Sequence, residues 1–371
     1  MENKLKVPHN CYLILTSKCN MMCKHCYGDY GRKLPNRELT GAQWEMIIKQ
    51  LSQNRIFFVN ISGGEPTVHP DFEFIIKSLV ENNIYFQLTT NGLFSEKVLN
   101  QIIKSKKYIM NIQISLDGCD EDSFNYLRRD RNGRTNSSFF SIVKNNIEML
   151  ISNGLPVTIA TCLHKQNYKK MSDFCDYILS ISPIEWSIST ISISGRARNH
   201  DIFISETMVS DTTWTYIKTE CLKQKIKVTF VDMPSLIVNN KGDLVYYQCP
   251  AANWFCEINS DGQVSPCPLA RTSISNSNLI FDNILNKNII EIWNGDAFET
   301  FRQMQKSGCE GCISKSKCSR CPPQSIQWFN DPLKPTPYCI RHGEKLHLKN
   351  LSNLVEELDN AMKLTKHEDY I

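Results

Sequence analysis

Three cysteines near the start of the chain, Cys19, Cys23 and Cys26, are separated by three and two residues. Thiolates at such spacing are ligands for zinc or for an iron–sulfur cluster. Structural zinc takes four protein ligands and catalytic zinc commonly three plus water, with His25 as a further candidate. A [4Fe–4S] cluster held by three thiolates would leave one iron open to a small ligand. The spacing therefore predicts a metal centre and leaves zinc and iron–sulfur as alternatives.

Polar segments that contain glycine follow the first four predicted strands. The three cysteines come after the first strand, SGGEPT (62–67) after the second and TTNG (89–92) after the third, while SLDG (115–118) ends the fourth. In parallel βα folds the carboxyl ends of the strands meet at one edge, where reactive groups gather. We therefore expect these segments to share one site. Asn91 and Asp117 lie within it without an assigned role, and Asp117 fits a simple turn as well as a contact.

The first two-thirds of the chain alternates short β-branched or aromatic segments with segments of helical periodicity. The predicted strands are 11–16, 57–62, 85–90, 109–116, 157–162 and 185–193, with another at 227–232. The predicted helices are 42–54, 72–82, 96–105, 139–153, 168–180 and 212–225. Six βα units in succession predict an α/β fold over residues 1–232, with a parallel sheet that is open or curled into a partial barrel.

Eight further cysteines are concentrated near the carboxyl end of the chain. They are Cys249, Cys256, Cys267, Cys309, Cys312, Cys318, Cys321 and Cys339. Only five residues separate Cys312 from Cys318, which is too few for a simple zinc ribbon. Eight thiolates match two complete [4Fe–4S] sites, and zinc stays the alternative. Because the segment is rich in loops, residues 243–342 are predicted to form a second module that depends on metal for its fold.

The last part of the chain, 343–371, is predicted to be a helical tail. Within the stretch 346–364, Leu351, Leu354 and Leu358 recur near helical spacing. Such a stripe usually packs against its own domain, and the alternative is docking to a partner.

Composition excludes several classes of protein. The chain has 371 residues, a formal net charge of +4 and no basic tract, so nucleic acid is not indicated. No stretch is apolar enough for a signal peptide or a membrane span. Sixteen cysteines in a cytoplasmic protein point to metal or catalysis before disulfides. We therefore expect a cytoplasmic protein that binds neither nucleic acid nor membrane.

The CxxxCxxC spacing, an aromatic residue directly after it and a GGEP segment on a βα scaffold resemble the radical S-adenosylmethionine (SAM) superfamily. In that family the open iron of a [4Fe–4S] cluster chelates the amino and carboxylate groups of SAM. One electron then cleaves SAM and releases a 5′-deoxyadenosyl radical. The resemblance implies that Cys19, Cys23 and Cys26 hold this catalytic cluster. His25 is then expected to face solvent.

The same resemblance implies residues that bind SAM. Tyr27 would lie beside the adenine, and the loop that contains Gly63, Gly64 and Glu65 would take the amino group. A glutamate offers a carboxylate to an ammonium group. Ser115 and Arg128 would bind the carboxylate of SAM.

The second module resembles the SPASM extension of radical SAM enzymes, which binds two auxiliary [4Fe–4S] clusters. The segments CPAANWFCEINSDGQVSPCPLA and NIIEIWN are typical of it. By this resemblance auxiliary cluster I is held by Cys249, Cys256, Cys267 and Cys321. Auxiliary cluster II is held by Cys309, Cys312, Cys318 and Cys339. The usual pattern has three residues before the last cysteine of the knuckle, but only Ser319 and Arg320 precede Cys321, which leaves an open position on cluster I as an alternative.

Among SPASM proteins the chain is most similar to maturases of ribosomally made peptides, particularly the mycofactocin type. The expected partners are a precursor peptide and an electron donor such as flavodoxin or ferredoxin. The first predicted strand begins by Cys11, so a leader-binding domain is expected on a separate protein. The alternative enzyme modifies a tetrapyrrole side chain or another small molecule. An iron–sulfur electron carrier is the alternative outside the enzymes, although a carrier would close its cluster with four ligands.

Overall fold

The structure is a computed structural model in which two compact units are recognised. It describes residues 5–32, 34–204, 208–231, 236–238, 244–246, 249–273, 279–309, 311–314, 318, 320–341 and 343–365. The barrel module comprises residues 12–232 and 259–262, and the cysteine-rich module comprises 1–11, 233–258 and 263–368. The predicted boundary between 232 and 243 lies outside the described residues except for the short strand 236–238, and the predicted domain limits stay predictions.

The barrel module contains a parallel sheet whose strands follow one another in sequence order. The strands are β1 (Asn10–Ile14), β2 (Phe58–Ser62), β3 (Tyr85–Thr90), β4 (Ile109–Ser115), β5 (Val157–Cys162), β6 (Glu185–Ser189) and β7 (Lys227–Val231). Pairing from β2 to β7 is parallel throughout. Along β3 and β4, buried apolar residues such as Leu88 and Ile112 alternate with half-buried polar ones such as Gln87 and Gln113, so one face of the sheet carries the apolar core. The predicted α/β fold class is confirmed.

Helices connect successive strands of this sheet. They are α1 (Gly41–Gln53), α2 (Phe72–Glu81), α3 (Glu96–Lys104), α4 (Glu121–Leu127), α5 (Ser137–Ser152), α6 (Met171–Ile181) and α7 (Asp211–Lys223). A capping box starts α1, in which the Thr40 hydroxyl accepts from the backbone N–H of Gln43 and the Gln43 side chain accepts from Thr40. This reciprocal pair satisfies two backbone donors and explains why the helix begins there.

Two elements differ from the sequence prediction. The sixth strand was predicted to reach residue 193 but ends at Ser189, and Ile191 and Ile193 are buried in the loop that follows. In this segment the alternating apolar residues therefore indicate burial within a loop and not pairing within a strand. Helix α4 was not predicted, because its seven residues show too little periodicity. Asp120 caps it by accepting from the N–H of Ser123 at 2.8 Å.

Short elements make up the cysteine-rich module. The strands are β8 (Leu236–Val238), β9 (Leu244–Tyr246), β10 (Phe255–Ile258) and β11 (Val264–Ser265), in two antiparallel pairs. The helices are α8 (Pro268–Ser273), α9 (Ile289–Asn294), α10 (Asp296–Lys306), α11 (Pro322–Phe329), α12 (Pro337–Arg341), α13 (Gly343–Leu346) and α14 (Leu351–Thr365). The module thus holds more helix than its weak periodicity indicated.

The first residues of the chain belong to this module. The indole N–H of Trp293 donates to the backbone oxygen of Leu5 at 2.8 Å. The N–H of His9 donates to the oxygen of Trp254 at 2.7 Å, and the two rings meet edge to face. Residues far apart in sequence therefore build one unit.

The tail helix α14 packs on its own module. Leu358 is 3% exposed and shares an apolar cluster with Ile340, against which Leu351 and Leu354 also pack. This contact agrees with self-packing of the tail and uses the apolar stripe that docking to a partner would need. Among the described residues, no helix has both the length and the apolar character to cross a membrane.

The first prediction concerns this tail. Leu358→Ala should destabilise the cysteine-rich module by roughly 2–4 kcal/mol, because truncation of a buried leucine leaves a cavity. Hydrogen exchange should show faster exchange in α11, α12 and α14. The matched control is Val355→Ala on the same helix, since Val355 is 40% exposed and its truncation should change stability by about 0.5 kcal/mol or less. Equal exchange rates in both variants would contradict a supporting role for the tail.

Candidate functional site

The loop after β2 lies directly against the loop after β1. A Cβ at Gly63 would lie 2.6 Å from the backbone oxygen of Thr16, and a Cβ at Gly64 would lie 2.2 Å from that of Lys18. The N–H groups of Gly64 and Glu65 donate to these oxygens at 2.8 and 2.9 Å. In the structure, the close approach is to the backbone of the cysteine loop itself, which only glycine allows.

Glu65 joins the loops after β2 and β3. It is fully buried, and its carboxylate accepts from the hydroxyls of Thr67 and Thr90, both at 2.7 Å, and from the N–H of Asn91 at 2.8 Å. Burial raises the pKa of Glu65 above its ordinary value, although these hydrogen bonds oppose the shift. The Asn91 side chain donates to Asn20 at 2.7 Å, so Asn91 also holds the cysteine loop.

The three cysteines form a buried donor set. Burial, followed by the proximity of Cys23 and Glu65, raises the pKa of Cys19 to about 12. Burial also raises the pKa of Cys26, and the charge of Arg196 opposes that rise. Neighbouring buried thiols resist ionising together unless a positive centre compensates them. Iron would supply that charge, so the donor set fits a metal cluster. Burial, with a contribution from the charge of Cys23, also raises the pKa of Cys162, so a fourth thiol lies near this set.

Asp117 is the centre of a buried polar network beside the cysteines. Its Oδ2 accepts from the guanidinium of Arg128 at 2.6 and 2.7 Å, and its Oδ1 accepts from the N–H of Cys162 at 2.9 Å. His25 Nε2 lies 3.5 Å from Oδ2, and the ring of His164 lies 2.8 Å from the backbone oxygen. Although burial opposes it, Arg128 and His25 hold the pKa of Asp117 below its ordinary value. Asp117 is therefore more than a turn residue.

His25 does not face solvent, so that expectation is wrong. Its side chain is only 13% exposed, and burial lowers its pKa to about 3. The imidazole is therefore neutral at physiological pH. The loop between Cys23 and Cys26 turns this ring inward because its backbone is bound to the end of α4, where the N–H of Lys24 donates to the oxygen of Leu127 at 2.9 Å.

Arg128 and Ser115 lie at the carboxyl edge of the sheet, which is called the rim below. Ser115 ends β4, and Arg128 is paired with Asp117 two residues further on. Ser115 is half-buried. Arg128 is 5% exposed, and its Nη1 lies 3.8 Å from the sulfur of Cys23. Because Asp117 takes two of its N–H groups, Arg128 also orders the rim. Tyr27 lies edge to face with Tyr30, with the ring centroids 6.0 Å apart. The roles of Ser115, Arg128 and Tyr27 in binding SAM stay predictions.

Arg196, from the loop after β6, caps the backbone of the cysteine loop. Its Nε donates to the oxygen of Cys23 at 2.9 Å, and its Nη1 donates to the carboxylate of Asp29 at 2.8 Å and the oxygen of Tyr30 at 2.7 Å. Its backbone N–H donates to the oxygen of Cys26 at 3.0 Å. One buried side chain therefore fixes the loop at several points, and an ionised donor makes each bond stronger.

The two residues before Arg196 also contact the cysteine loop, and together with Arg196 they are called the brace below. The Ser194 hydroxyl donates to the backbone oxygen of Tyr27 at 2.9 Å. Gly195 has φ +55°, and a Cβ there would lie 2.4 Å from the oxygen of Cys26. Neither the sequence patterns nor the resemblance singled out Arg196. The available signal was an arginine after a predicted strand of the barrel, at the edge where the other site loops meet.

The cysteine-rich module brings four of its cysteines to the wall of one pocket. Its wall includes Cys309, Cys312, Cys318 and Cys339, the predicted ligands of auxiliary cluster II. The Thr336 hydroxyl donates to the sulfur of Cys339 at 3.3 Å. A cavity lined by four thiols fits a [4Fe–4S] cluster in the chemistry of its donors.

A second group contains three of the four cysteines predicted for auxiliary cluster I. The charges of Cys321 and Cys249, after burial, raise the pKa of Cys267 well above its ordinary value, which places the three sulfurs near one another. Cys256, the fourth, is fully buried, and its sulfur lies 3.6 Å from that of Cys11.

The second prediction concerns the brace. Arg196→Ala leaves buried backbone oxygens and Asp29 without their donor, which is costly. The variant should lose most of the iron bound by the cysteine loop, and its apoprotein should react faster with iodoacetamide at Cys19, Cys23 and Cys26. Arg196→Lys should recover part of both properties, since it restores the charge without the planar fork.

The control is Arg198→Ala, two residues further along on an exposed side chain. It should bind iron like the parent protein. If Arg196→Ala alkylates at the parent rate and keeps its iron, the brace does not hold the loop.

Comparison with known proteins identifies both modules. The model of the Radical SAM superfamily matches residues 13–178, and that of the SPASM iron–sulfur cluster-binding domain matches residues 249–322. The chain is 26% identical over 348 residues to mycofactocin maturase MftC of Mycobacterium tuberculosis, covering 89% of this chain and 82% of that protein. It is 23% identical to the AdoMet-dependent heme synthase of Methanosarcina barkeri over 350 residues, covering 89% and 96%. It is also 23% identical to the PqqA peptide cyclase of Bradyrhizobium diazoefficiens over 345 residues, covering 90% and 86%.

Solved structures share the fold. The crystal structure of Streptococcus suis SuiB bound to S-adenosylmethionine superimposes with a TM-score of 0.68 at 19% identity, over 90% of this chain and 77% of that one. Native anSMEcpe with bound AdoMet gives a TM-score of 0.64 at 17% identity, over 96% and 100%. The cysteine spacing, the glycine–glutamate loop against it and the two matched models agree. The chain is therefore a radical SAM enzyme that carries a SPASM iron–sulfur domain.

Proposed function

We propose that this protein modifies a ribosomally made precursor peptide, by forming a crosslink or by decarboxylating a side chain. The buried loop with three cysteines, joined to Glu65, carries the proposal, because its donor set fits a cluster with one open iron. Similarity to a mycofactocin maturase and to a PqqA peptide cyclase along most of the chain supports a peptide as the substrate. SuiB, which has the same fold, has been crystallised with its precursor peptide SuiA.

The residues of the barrel module would act as follows. Cys19, Cys23 and Cys26 would hold a [4Fe–4S] cluster that, with SAM, supplies a 5′-deoxyadenosyl radical for hydrogen abstraction. Glu65 would accept a hydrogen bond from the ammonium group of SAM, which would compensate the cost of burying its carboxylate. Arg196 would hold the backbone of the cysteine loop in the conformation that binds the cluster. The pair of Arg128 and Asp117 would hold the rim on which Ser115 lies.

The cysteine-rich module would hold two auxiliary clusters, for three clusters in total. Cys309, Cys312, Cys318 and Cys339 supply a complete set for one of them. Such clusters could accept the electron that remains after a substrate radical forms a bond or loses a group. A reduced flavodoxin or ferredoxin would serve as the donor for SAM cleavage. None of the cysteines is in a disulfide, which suits a cytoplasmic setting.

A flexible peptide needs binding energy away from the reacting residue, because ordering it costs conformational entropy. We propose that a separate leader-binding protein contributes this energy. Strand addition to an exposed sheet edge is a second way to bind an extended peptide.

The alternative is an enzyme that acts on a tetrapyrrole side chain. Similarity to the AdoMet-dependent heme synthase of Methanosarcina barkeri, which spans 96% of that protein, favours it. The barrel residues would have the same roles in either enzyme, and the difference lies in the substrate.

The third prediction tests the cluster. The anaerobically reconstituted protein should bind about twelve irons per chain, and the triple variant Cys19→Ala, Cys23→Ala, Cys26→Ala should bind about eight. With dithionite and SAM, the parent should form 5′-deoxyadenosine in the absence of substrate and the triple variant should form none. Production of 5′-deoxyadenosine by the triple variant would refute this site, and its absence from the parent would favour an electron carrier.

The fourth prediction concerns Glu65. Loss of a hydrogen bond between charged groups costs about 1.5–3 kcal/mol, so Glu65→Gln should weaken SAM binding roughly 10- to 100-fold. Calorimetry with SAM on the reconstituted enzyme measures this. Glu81→Gln, at an exposed position on α2, is the control.

In the absence of SAM, Glu65→Gln should leave the stability of the protein unchanged or raise it. Folding raises the pKa of Glu65, so its contribution to stability is present below the unfolded-state pKa and is lost as the pH rises through the folded-state pKa. At pH 7, Glu65→Gln should therefore melt at the same temperature as the parent apoprotein or higher. A lower melting temperature together with unchanged SAM binding would contradict the proposed role.

The fifth prediction separates the two substrates. The enzyme is incubated with SAM, reductant and a candidate precursor peptide encoded next to its gene, with and without a leader-binding protein. Mass spectrometry should show a loss of about two mass units for a crosslink, or of carbon dioxide for a decarboxylation. A parallel reaction contains a porphyrin precursor. Unchanged peptide and a porphyrin that loses side-chain mass would replace the proposal with its alternative.

A further inference from the structure

The loop that follows helix α4 is rich in arginine and lies against the cysteine loop. Residues 129–134, called the arginine loop below, contain Arg129, Arg131 and Arg134 with one acid, Asp130. Three positive charges and one negative charge give this loop a net charge of +2, in a chain whose formal net charge is +4. None of the three arginines forms an ion pair with a described carboxylate. Positive charge is therefore concentrated at this point of the surface.

The backbone of the arginine loop is fixed by its own hydrogen bonds. The carboxylate of Asp130 accepts from the N–H groups of Asn132 and Arg134, both at 2.8 Å, and the N–H of Asp130 donates to the oxygen of Arg134 at 2.9 Å. Gly133 has φ +77°, a conformation that favours glycine, and lets the chain turn back. Arg131 and Arg134 are exposed, whereas Asp130 is half-buried. The loop therefore presents two arginines on an ordered turn, whose backbone loses little conformational entropy on binding.

The arginine loop is bonded to the main chain of a predicted cluster ligand. The Nε of Arg131 donates to the backbone oxygen of Cys19 at 3.2 Å, and the oxygen of Arg129 accepts from the N–H of Met22 at 2.9 Å. Arg196, which also binds the cysteine loop, is buried, whereas Arg131 is exposed. Surface charge and the cluster-binding backbone therefore meet at the arginine loop.

Lys24 extends the positive surface onto the cysteine loop itself. Its N–H donates to the oxygen of Leu127, the last residue of α4, at 2.9 Å. Its Nζ lies 4.7 Å from the centre of the Tyr126 ring, and this contact attracts the ammonium group to the end of the same helix. Cations from two separate segments therefore flank one stretch of main chain.

From this arrangement we propose that the arginine loop and Lys24 form the docking surface for the protein that reduces the catalytic cluster, and that this protein presents an acidic surface. The inference rests on the proposed function, since such a donor requires a cluster on Cys19, Cys23 and Cys26. One electron leaves the reduced donor and enters that cluster, and no bond forms or breaks. Electron transfer slows steeply with distance, so a donor seated on a side chain that touches Cys19 is well placed.

Charge and position together select this occupant. Opposite charges on two partners speed their encounter and fix their orientation, so a positive surface fits an acidic protein. A substrate peptide has to reach the SAM, whereas an electron donor has to reach the ligands of the cluster. Contact with the main chain of Cys19 therefore favours the electron donor, and an acidic precursor peptide is the occupant that the test has to exclude.

The test measures binding of a flavodoxin with an acidic surface to the full-length protein loaded with its clusters. Arg134→Glu reverses one charge of the arginine loop on an exposed side chain. At low ionic strength it should weaken flavodoxin binding roughly 10-fold, because the charges of the two surfaces no longer match. Binding by the parent should also weaken as the salt rises from about 0.01 to 0.15 M, since the Debye length falls from about 30 to 8 Å.

The matched control is Lys107→Glu. It makes the same change of charge on an exposed side chain directly before β4, at the opposite edge of the sheet from the rim. This variant should bind flavodoxin like the parent. Equal binding by Arg134→Glu and Lys107→Glu, or binding by the parent that does not respond to salt, would overturn the proposal.

A second measurement separates docking from damage to the cluster. With limiting reduced flavodoxin, Arg134→Glu should form 5′-deoxyadenosine roughly 10-fold more slowly than the parent. With dithionite, a small reductant that needs no docking surface, the two proteins should react at the same rate. An equal loss of rate with both reductants would refute docking at this loop. Weaker binding of a precursor peptide with unchanged binding of flavodoxin would assign the loop to the peptide instead.

The binding measurement needs neither SAM nor substrate. If no protein forms 5′-deoxyadenosine with dithionite, the proposed cluster chemistry fails, and the flavodoxin affinities still report on the docking surface. Conversely, equal affinities would leave the proposed peptide chemistry untouched.

Discussion

The backbone of the cysteine loop is held by donors from two other parts of the barrel module, besides the arginine loop. Arg196 binds oxygens at Cys23 and Tyr30 from the loop after β6. The N–H groups of the glycine–glutamate loop bind the oxygens before Cys19 from β2. A loop with three metal ligands has little regular structure of its own, so its geometry depends on these contacts. The order of the sheet matters because it brings those donors to one edge.

The polar groups of this rim are interdependent. Glu65 connects two loops through its carboxylate, and Asp117 connects Arg128 with the loop after β5. Both acids are fully buried, and their pKa values move in opposite directions. Burial prevails at Glu65, whereas at Asp117 the charges of Arg128 and His25 and the hydrogen bond from Cys162 together outweigh burial. The rim therefore contains one carboxylate that is already neutralised and one that would benefit from a positively charged ligand.

Sequence patterns predicted the parts of this protein that depend on local spacing. Strand positions and the clustering of site loops follow from periodicity and from strand order. Arg196 offered only its position after a predicted strand as a signal, because most of its acceptors are backbone oxygens that any residue would present. The contact between the sulfurs of Cys256 and Cys11 could not be predicted either, because 245 positions separate the two residues.

The cysteine-rich module is built from the first residues of the chain together with its last third, which affects how it folds during synthesis. Leu5 bonds to Trp293, 288 positions later, and His9 bonds to Trp254. A ribosome releases the first residues long before these partners exist, so the amino-terminal segment must wait unpaired while the barrel strands form behind it. Contacts of such separation are slow to close, and domains tend to fold as their residues emerge. This module should therefore fold last. Until then its cysteines stay accessible to the agents that deliver or remove metal in the cell.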